Sequence, residues 1–244
     1  MNIRGLQKTT LLDYPGKIAG IIFTSGCNFR CPFCQNPDLV IDNDKLPNID
    51  EEEIFKFLKS RAGKLEGVVI TGGEPTIQND LPEFIAKIKD MKYLVKLDTN
   101  GTNPGMVEEL IKNGLVDYIA VDYKGPFYKY YKYIGKDIGY RVKGTVKKII
   151  NILVKNEMPF ELRTTVVPTL HIKEDLIAMA QELNSLYPKP STLNPKFKWF
   201  LQNFRPDKCL DSSFEKIKPY PKSFYDKVLP ELRKFIPKTE VRGI

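Results

Sequence analysis

Short apolar runs rich in β-branched residues alternate along the chain with longer stretches whose apolar positions recur at the helical period. Ile18 to Thr24, Val68 to Thr71, Tyr93 to Leu97, Tyr118 to Val121, Phe160 to Val167 and Phe197 to Phe204 read as strands. Asp50 to Ser60, Leu81 to Lys89, Pro104 to Asn113, Gly144 to Asn156, Lys173 to Leu186 and Phe224 to Phe235 read as helices, the last interrupted at Pro230. Start and stop signals agree. Asp50 precedes three glutamates that suit the positive end of a helix dipole, Pro82 fits a first turn, and Gly114 fits a stop.

Six β-then-α units imply an α/β fold of parallel strands joined by right-handed crossovers. A closed barrel of this kind needs eight, so the choices are an open partial barrel or a doubly wound sheet. Ligands meet the C-terminal strand ends in both. The pattern shows no repeat and no boundary, so one domain over residues 1–244 is expected, with a long Pro-rich loop from Tyr187 to Pro195. The sequence leaves the role of the tail from Pro206 to Ile244 open, covering the barrel bottom being one option.

With 244 residues and 42% hydrophobic content the chain can bury a sizeable core. Lys and Arg number 38 against 30 Asp and Glu, a net charge of +8. That favours acidic partners without specifying nucleic acid, which is not expected from charge alone. No apolar run reaches membrane-spanning length and no signal-type segment follows Met1, so a cytoplasmic protein without membrane association is expected. Four cysteines, three of them within eight residues, fit metal binding in a reducing compartment better than a disulfide framework.

The densest chemistry follows the first strand. Ser25-Gly26-Cys27-Asn28-Phe29-Arg30-Cys31-Pro32-Phe33-Cys34 places three thiols at C-x3-C-x2-C spacing. Thiolates suit zinc or iron–sulfur centres, and structural zinc takes four protein ligands. The other candidates, the sole histidine His171 and the fourth cysteine Cys209, are remote in sequence. His171 reads as a turn or cap residue, and Cys209 as a buried free thiol. A zinc site completed by either is one reading. The other, favoured here, is a four-iron cluster held by three thiolates, with its fourth iron open to a small molecule.

Further polar residues fall at the C-terminal ends of the expected strands. Gly72-Gly73-Glu74-Pro75 follows the second, Asp98-Thr99-Asn100-Gly101 the third and Asp122-Tyr123-Lys124 the fourth, while Arg163 lies on the fifth. Glycines there let the backbone approach a ligand closely. Asp98 and Asn100 suit ribose hydroxyls, or close an Asx turn with Gly101. Lys124 supplies a cation for a carboxylate, which Asp122 either positions or withdraws into a rim ion pair. An arginine as near a strand core as Arg163 needs a partner. The aromatic and lysine stretch Phe127 to Tyr133 reads as packing at the rim, with base stacking or protein docking as alternatives.

The cysteine spacing, with Phe33 just before the third cysteine and Gly-Gly-Glu-Pro after the next strand, resembles the radical S-adenosylmethionine enzymes. Leu12-Asp13-Tyr14-Pro15-Gly16-Lys17, Cys34-Gln35-Asn36-Pro37, Asp98-Thr99-Asn100-Gly101 and Asp122-Tyr123-Lys124 narrow the resemblance to glycyl-radical-enzyme activases. It is greatest to those of anaerobic ribonucleoside-triphosphate reductase and extends from about Thr9 to Arg205. The resemblance implies a partial (β/α)6 TIM-like barrel, a [4Fe-4S] cluster on Cys27, Cys31 and Cys34, and S-adenosylmethionine at the open iron. It implies Phe33 beside the adenine, Gly73 and Glu74 at the methionine amino group, and Asp98 and Asn100 at the ribose. Asp122, Tyr123, Lys124 and Arg163 complete the cofactor contacts, with Lys124 toward the methionine carboxylate. A late histidine touches the ligand in pyruvate formate-lyase activases; here Leu201-Gln202-Asn203-Phe204-Arg205 offers Gln202 or Asn203 instead.

The activity so implied is reductive cleavage of S-adenosylmethionine, giving a 5′-deoxyadenosyl radical that takes a hydrogen from a backbone glycine of a partner enzyme. The electron would come from an external low-potential donor such as flavodoxin or ferredoxin, since no second cysteine cluster exists in the sequence. The alternative is a radical S-adenosylmethionine enzyme modifying a small molecule or tRNA.

Overall fold

A computed structural model describes residues 1–41, 46–135, 139–186 and 198–244. Its strands are β1 (Ile3–Thr10), β2 (Ala19–Thr24), β3 (Gly67–Gly72), β4 (Leu94–Thr99), β5 (Tyr118–Asp122), β6 (Phe160–Val166), β7 (Lys198–Asn203) and β8 (Thr239–Arg242). Its helices are α1 (Pro37–Val40), α2 (Glu51–Ser60), α3 (Leu81–Asp90), α4 (Pro104–Lys112), α5 (Tyr131–Ile134), α6 (Gly139–Lys155), α7 (Lys173–Leu186) and α8 (Lys222–Arg233). The strands follow one another in the sheet in chain order. The pair β1–β2 is antiparallel, whereas β2–β3, β3–β4, β6–β7 and β7–β8 are parallel. This is the α/β, partial TIM-like arrangement expected, with β2 to β7 as its repeating core. The expected loop from Tyr187 to Pro195, and Phe197, lie outside the described residues.

Two readings need correction. β1 escaped the periodicity because, among its eight residues, only Ile3 and Thr10 are buried. The tail, whose role the sequence leaves open, supplies α8 and then β8, which pairs with β7 from Trp199↔Thr239 to Gln202↔Arg242. Finally, α8 runs through Pro230 without a break. An interior proline costs a helix about 3 kcal/mol, which the burial of Tyr225, Val228 and Leu232 along one face offsets.

By its contacts the chain divides into two compact units, Met1–Asn28 with Asn36–Ala120, and Phe29–Gln35 with Val121–Ile244. In the first, the strand faces are set by alternation. A side chain at Gly20 would meet Phe57 of α2 and Leu65, so that face is covered by helix. The opposite face carries Tyr14, Ala19, Ile21 and Val69 packed together. The register Val69↔Lys96 puts Lys96, Asp98 and Asn100 on this second face, called inner below. Helix α4 starts as its sequence directs, with the Asn103 side chain accepting from Met106 N at 3.2 Å ahead of Pro104.

In the second unit, Trp199 and Leu201 lie in register with Leu162 and Thr164. The Trp199 indole donates to Thr164 Oγ1 at 2.9 Å, so the hydroxyl of a buried core position is satisfied. Arg163, Phe200 and Gln202 occupy the other face.

Candidate active site

The cysteine loop begins where β2 ends, and two close backbone approaches shape its start. Glu74 N donates to Gly26 O at 2.8 Å, and Gly73 N to Thr24 O at 2.9 Å. A side chain at Gly73 would collide with the Gly26 carbonyl oxygen, so glycine is required there by contact rather than by flexibility. Gly26 itself has φ +84, a conformation costly for other residues.

Glu74 is fully buried and acts as a clip between strand ends. It accepts from Thr76 N (3.1 Å), Thr76 Oγ1 (2.5 Å), Thr99 Oγ1 (2.7 Å) and Asn100 N (2.6 Å). Burial pushes its carboxyl up, opposed by these hydrogen bonds. Its two oxygens are thus engaged with the protein, and what it presents to a ligand is the fixed backbone around it. Asn100 in turn donates from Nδ2 to Asn28 Oδ1 at 2.8 Å and lies 3.9 Å from Cys27 Sγ, while its Oδ1 accepts from Thr102. Asp98 pairs with Lys96 at 2.5 Å, a lysine only 1% exposed. Sequence reading missed Lys96, although a lone cation inside Leu94-Val95-Lys96-Leu97, two residues from Asp98, was a usable signal.

The second unit carries Cys31, Phe33 and Cys34, with Cys31 and Phe33 buried. Cys34 N closes a turn onto Cys31 O at 3.0 Å. The segment after β7 grips this turn: Leu210 N donates to Cys34 O (3.0 Å), Asp211 N to Pro32 O (2.9 Å), and Gln35 Nε2 to Arg205 O (2.8 Å). Cys209, remote in sequence, is therefore brought beside Cys34 and is a buried free thiol as expected. Its thiol is pushed up by burial and by the neighbouring acidic groups and Cys34.

Asp122 joins two cations. Lys124 Nζ lies 3.0 Å from its Oδ2, and Arg163 Nη2 3.1 Å from its Oδ1. Burial pushes the Asp122 carboxyl up, but the two cations outweigh it and hold the carboxyl at about 2. Burial lowers the Lys124 ammonium, and the charges of Asp122 and Cys31 more than reverse this. Tyr123 turns the other way, its hydroxyl donating to Glu182 of α7, which also accepts from Phe127 N. The expected packing of the aromatic stretch is seen in Tyr130 and Tyr133, both buried.

His171 does more than cap a turn. Val167 N donates to Nδ1 at 3.1 Å, which leaves the proton on Nε2, and Nε2 donates to Lys124 O at 2.9 Å. The imidazole is fully buried, and burial lowers it to about 4, so it remains neutral. Of the late pair, Gln202 lies in register with Thr165 on the face of Arg163, whereas Asn203 accepts from Tyr225 of α8.

Zinc and an iron–sulfur cluster make different demands on a donor set. Among the described residues, no three His, Cys, Asp or Glu side chains converge as ligands of a single ion would. A four-iron cluster asks instead for one thiolate per iron, and none of the four cysteines is in a disulfide. The residues present fit the cluster in their chemistry: three thiols at C-x3-C-x2-C spacing on one continuous segment, none of them in a disulfide.

The chain matches the Radical SAM superfamily over residues 21–183. It belongs to that superfamily. Radical SAM proteins use a [4Fe-4S] cluster and S-adenosylmethionine. One relative of this radical SAM chain, from Methanocaldococcus jannaschii and provisionally named a glycyl-radical enzyme activating enzyme, is 34% identical over 99% of this chain and 96% of its own length. The pyruvate formate-lyase-activating enzyme of Clostridium pasteurianum is 30% identical over 75% of this chain and 76% of its own. A Pyrococcus horikoshii protein provisionally named GTP 3′,8-cyclase is 29% identical over 81% of this chain, which spans 64% of it. The solved structure of Streptococcus suis SuiB bound to precursor peptide SuiA superposes with a TM-score of 0.65 at 15% identity, covering 91% of this chain and about half, 48%, of that one. At that identity the likeness is one of fold. Among the described residues, no helix is long and apolar enough to cross a membrane.

Proposed function

We propose that this radical SAM enzyme is an activase that installs a glycyl radical on a partner enzyme, and that the partner is an anaerobic ribonucleotide reductase. The carrying observation is the end-to-end match to the provisionally named activating enzyme, of which the chain spans 96%, against 64% of the provisionally named cyclase. The motifs from Leu12 to Lys17 and from Asp98 to Gly101 support the activase reading by resemblance, and that resemblance is greatest to the activases of anaerobic ribonucleotide reductase.

In this reading Cys27, Cys31 and Cys34 hold the cluster. Lys124, oriented by Asp122 and by the His171 bond to its carbonyl, receives the methionine carboxylate; Arg163 stabilises Asp122. The Gly73 backbone meets the amino group, Asp98 and Asn100 meet the ribose, and Phe33 lies beside the adenine. When bound, cluster and S-adenosylmethionine supply one-electron cleavage of the sulfonium and a species able to take a hydrogen atom. A low-potential flavodoxin or ferredoxin supplies the electron.

The test is anaerobic incubation of reduced protein, S-adenosylmethionine and anaerobic reductase, read by electron paramagnetic resonance. The doublet of a glycyl radical is expected. Cleavage of S-adenosylmethionine without that doublet, with turnover of GTP or tRNA, would establish the second reading, a small-molecule or tRNA enzyme, which the cyclase similarity favours.

A further inference from the structure

Ser25 stands between the end of β2 and Cys27 and is 3% exposed. Its backbone is tied on both sides, N donating to Asn2 O at 3.0 Å and O accepting from Gln78 Nε2 at 3.2 Å. Its hydroxyl, by contrast, has no hydrogen-bond partner among the described residues. Buried hydroxyls are nearly always bonded, so an orphan points to a missing acceptor. The adjacent Thr24 hydroxyl, on the opposite face, is satisfied by Thr71 O at 3.1 Å.

The direction of the side chain follows from the strand. Ala19 and Ile21 face inward and Gly20 faces helix α2; the Ser25 to Asn2 bond continues the pairing with the start of the chain, so Ser25 follows Phe23 onto the inner face. One step beyond the last pair, Thr24↔Gly72, Ser25 stands level with Gly73. It therefore shares face and level with the residues expected to surround the cofactor, two positions from a ligand cysteine.

We propose that the Ser25 hydroxyl donates a hydrogen bond to a sulfur of the cluster at its Cys27 corner and thereby raises the reduction potential. A donated bond stabilises the more negative, reduced cluster more than the oxidised one. This rests on the reading that Cys27, Cys31 and Cys34 hold a four-iron cluster.

The experiment compares reconstituted full-length wild type with Ser25→Ala in an anaerobic redox titration without S-adenosylmethionine, after iron counting. Both proteins are expected to hold about four irons. The ratio of reduced to oxidised cluster at a fixed potential should fall about tenfold in the alanine variant, ~59 mV for one electron. Ser25→Thr and Ser25→Val, equal in volume, make the same comparison where alanine loosens the loop. Threonine should keep the potential and valine should lower it. Equal potentials with intact clusters overturn the proposal. A wild type holding one zinc or no iron overturns the cysteine assignment first, and the iron count reports that separately.

Discussion

At Asp122, Lys124 and Arg163, three charges meet in a space that leaves each only partly exposed. A carboxylate between two cations keeps a net positive edge, so the trio attracts an anion while remaining internally paired. Removing Lys124 deletes the cation and leaves Asp122 to Arg163 alone. Lys124→Met is therefore expected to weaken S-adenosylmethionine binding at least about tenfold, or about 1.4 kcal/mol, with iron content unchanged; calorimetric titration of the reconstituted protein checks both. Affinity equal to wild type would remove Lys124 from the cofactor's contacts. The Asp122 contribution to stability has a definite sign. Its folded value, about 2, lies below the unfolded value, so the stabilisation is present above pH about 4 and is lost as pH falls toward 2.

The junction of β3 and β4 shows how a sequence motif can be legible while its role is not. Gly72-Gly73-Glu74-Pro75 was readable as a turn at a strand end, and the structure places it there. That Glu74 turns its oxygens to Thr99 and Asn100 as well as to neighbouring Thr76 was not readable, because Thr99 and Asn100 lie 25 and 26 residues away, in a register that no local pattern fixes. The same limit hid the Lys124 carbonyl from His171 and the cysteine turn from Leu210. Conversely, the six core strands were legible because apolar runs buried on both faces need no partner to be recognised, whereas β1 and β8, half exposed at the sheet edges, carried too little pattern. The clip predicts an asymmetry between two substitutions. Glu74→Ala orphans several buried donors at once and should cost about 3 kcal/mol, whereas Glu74→Gln keeps one acceptor oxygen, enough for the Thr76 and Thr99 donors, and should cost less than Glu74→Ala. Urea unfolding of the two variants distinguishes them, and equal losses would mean that the clip carries no more than packing.

Across the whole molecule, residues far apart in sequence hold the chemistry in place, and acid should reveal one of them. His171 titrates at about 4 when folded and near 6.5 when unfolded, so the unfolded chain binds the extra proton between these values. Stability is fully present above pH 6.5 and is lost as pH falls toward 4, by up to about 3 kcal/mol. Thermal unfolding should show this decline in wild type and a shallower one in His171→Gln; parallel curves would assign the acid sensitivity elsewhere. The tail makes the second such link. Leu210 N and Asp211 N fasten the Cys31 to Cys34 turn from far along the chain, so the loop proposed to carry the cluster is held by a segment remote in sequence. Leu210→Pro deletes the donor to Cys34 O without touching a cysteine. Were the tail only a lid elsewhere, this variant would keep its iron as wild type does. If it braces the cluster loop, chelator should strip iron about tenfold faster, roughly 1.4 kcal/mol in the barrier to release, while the helical signal in circular dichroism is unchanged.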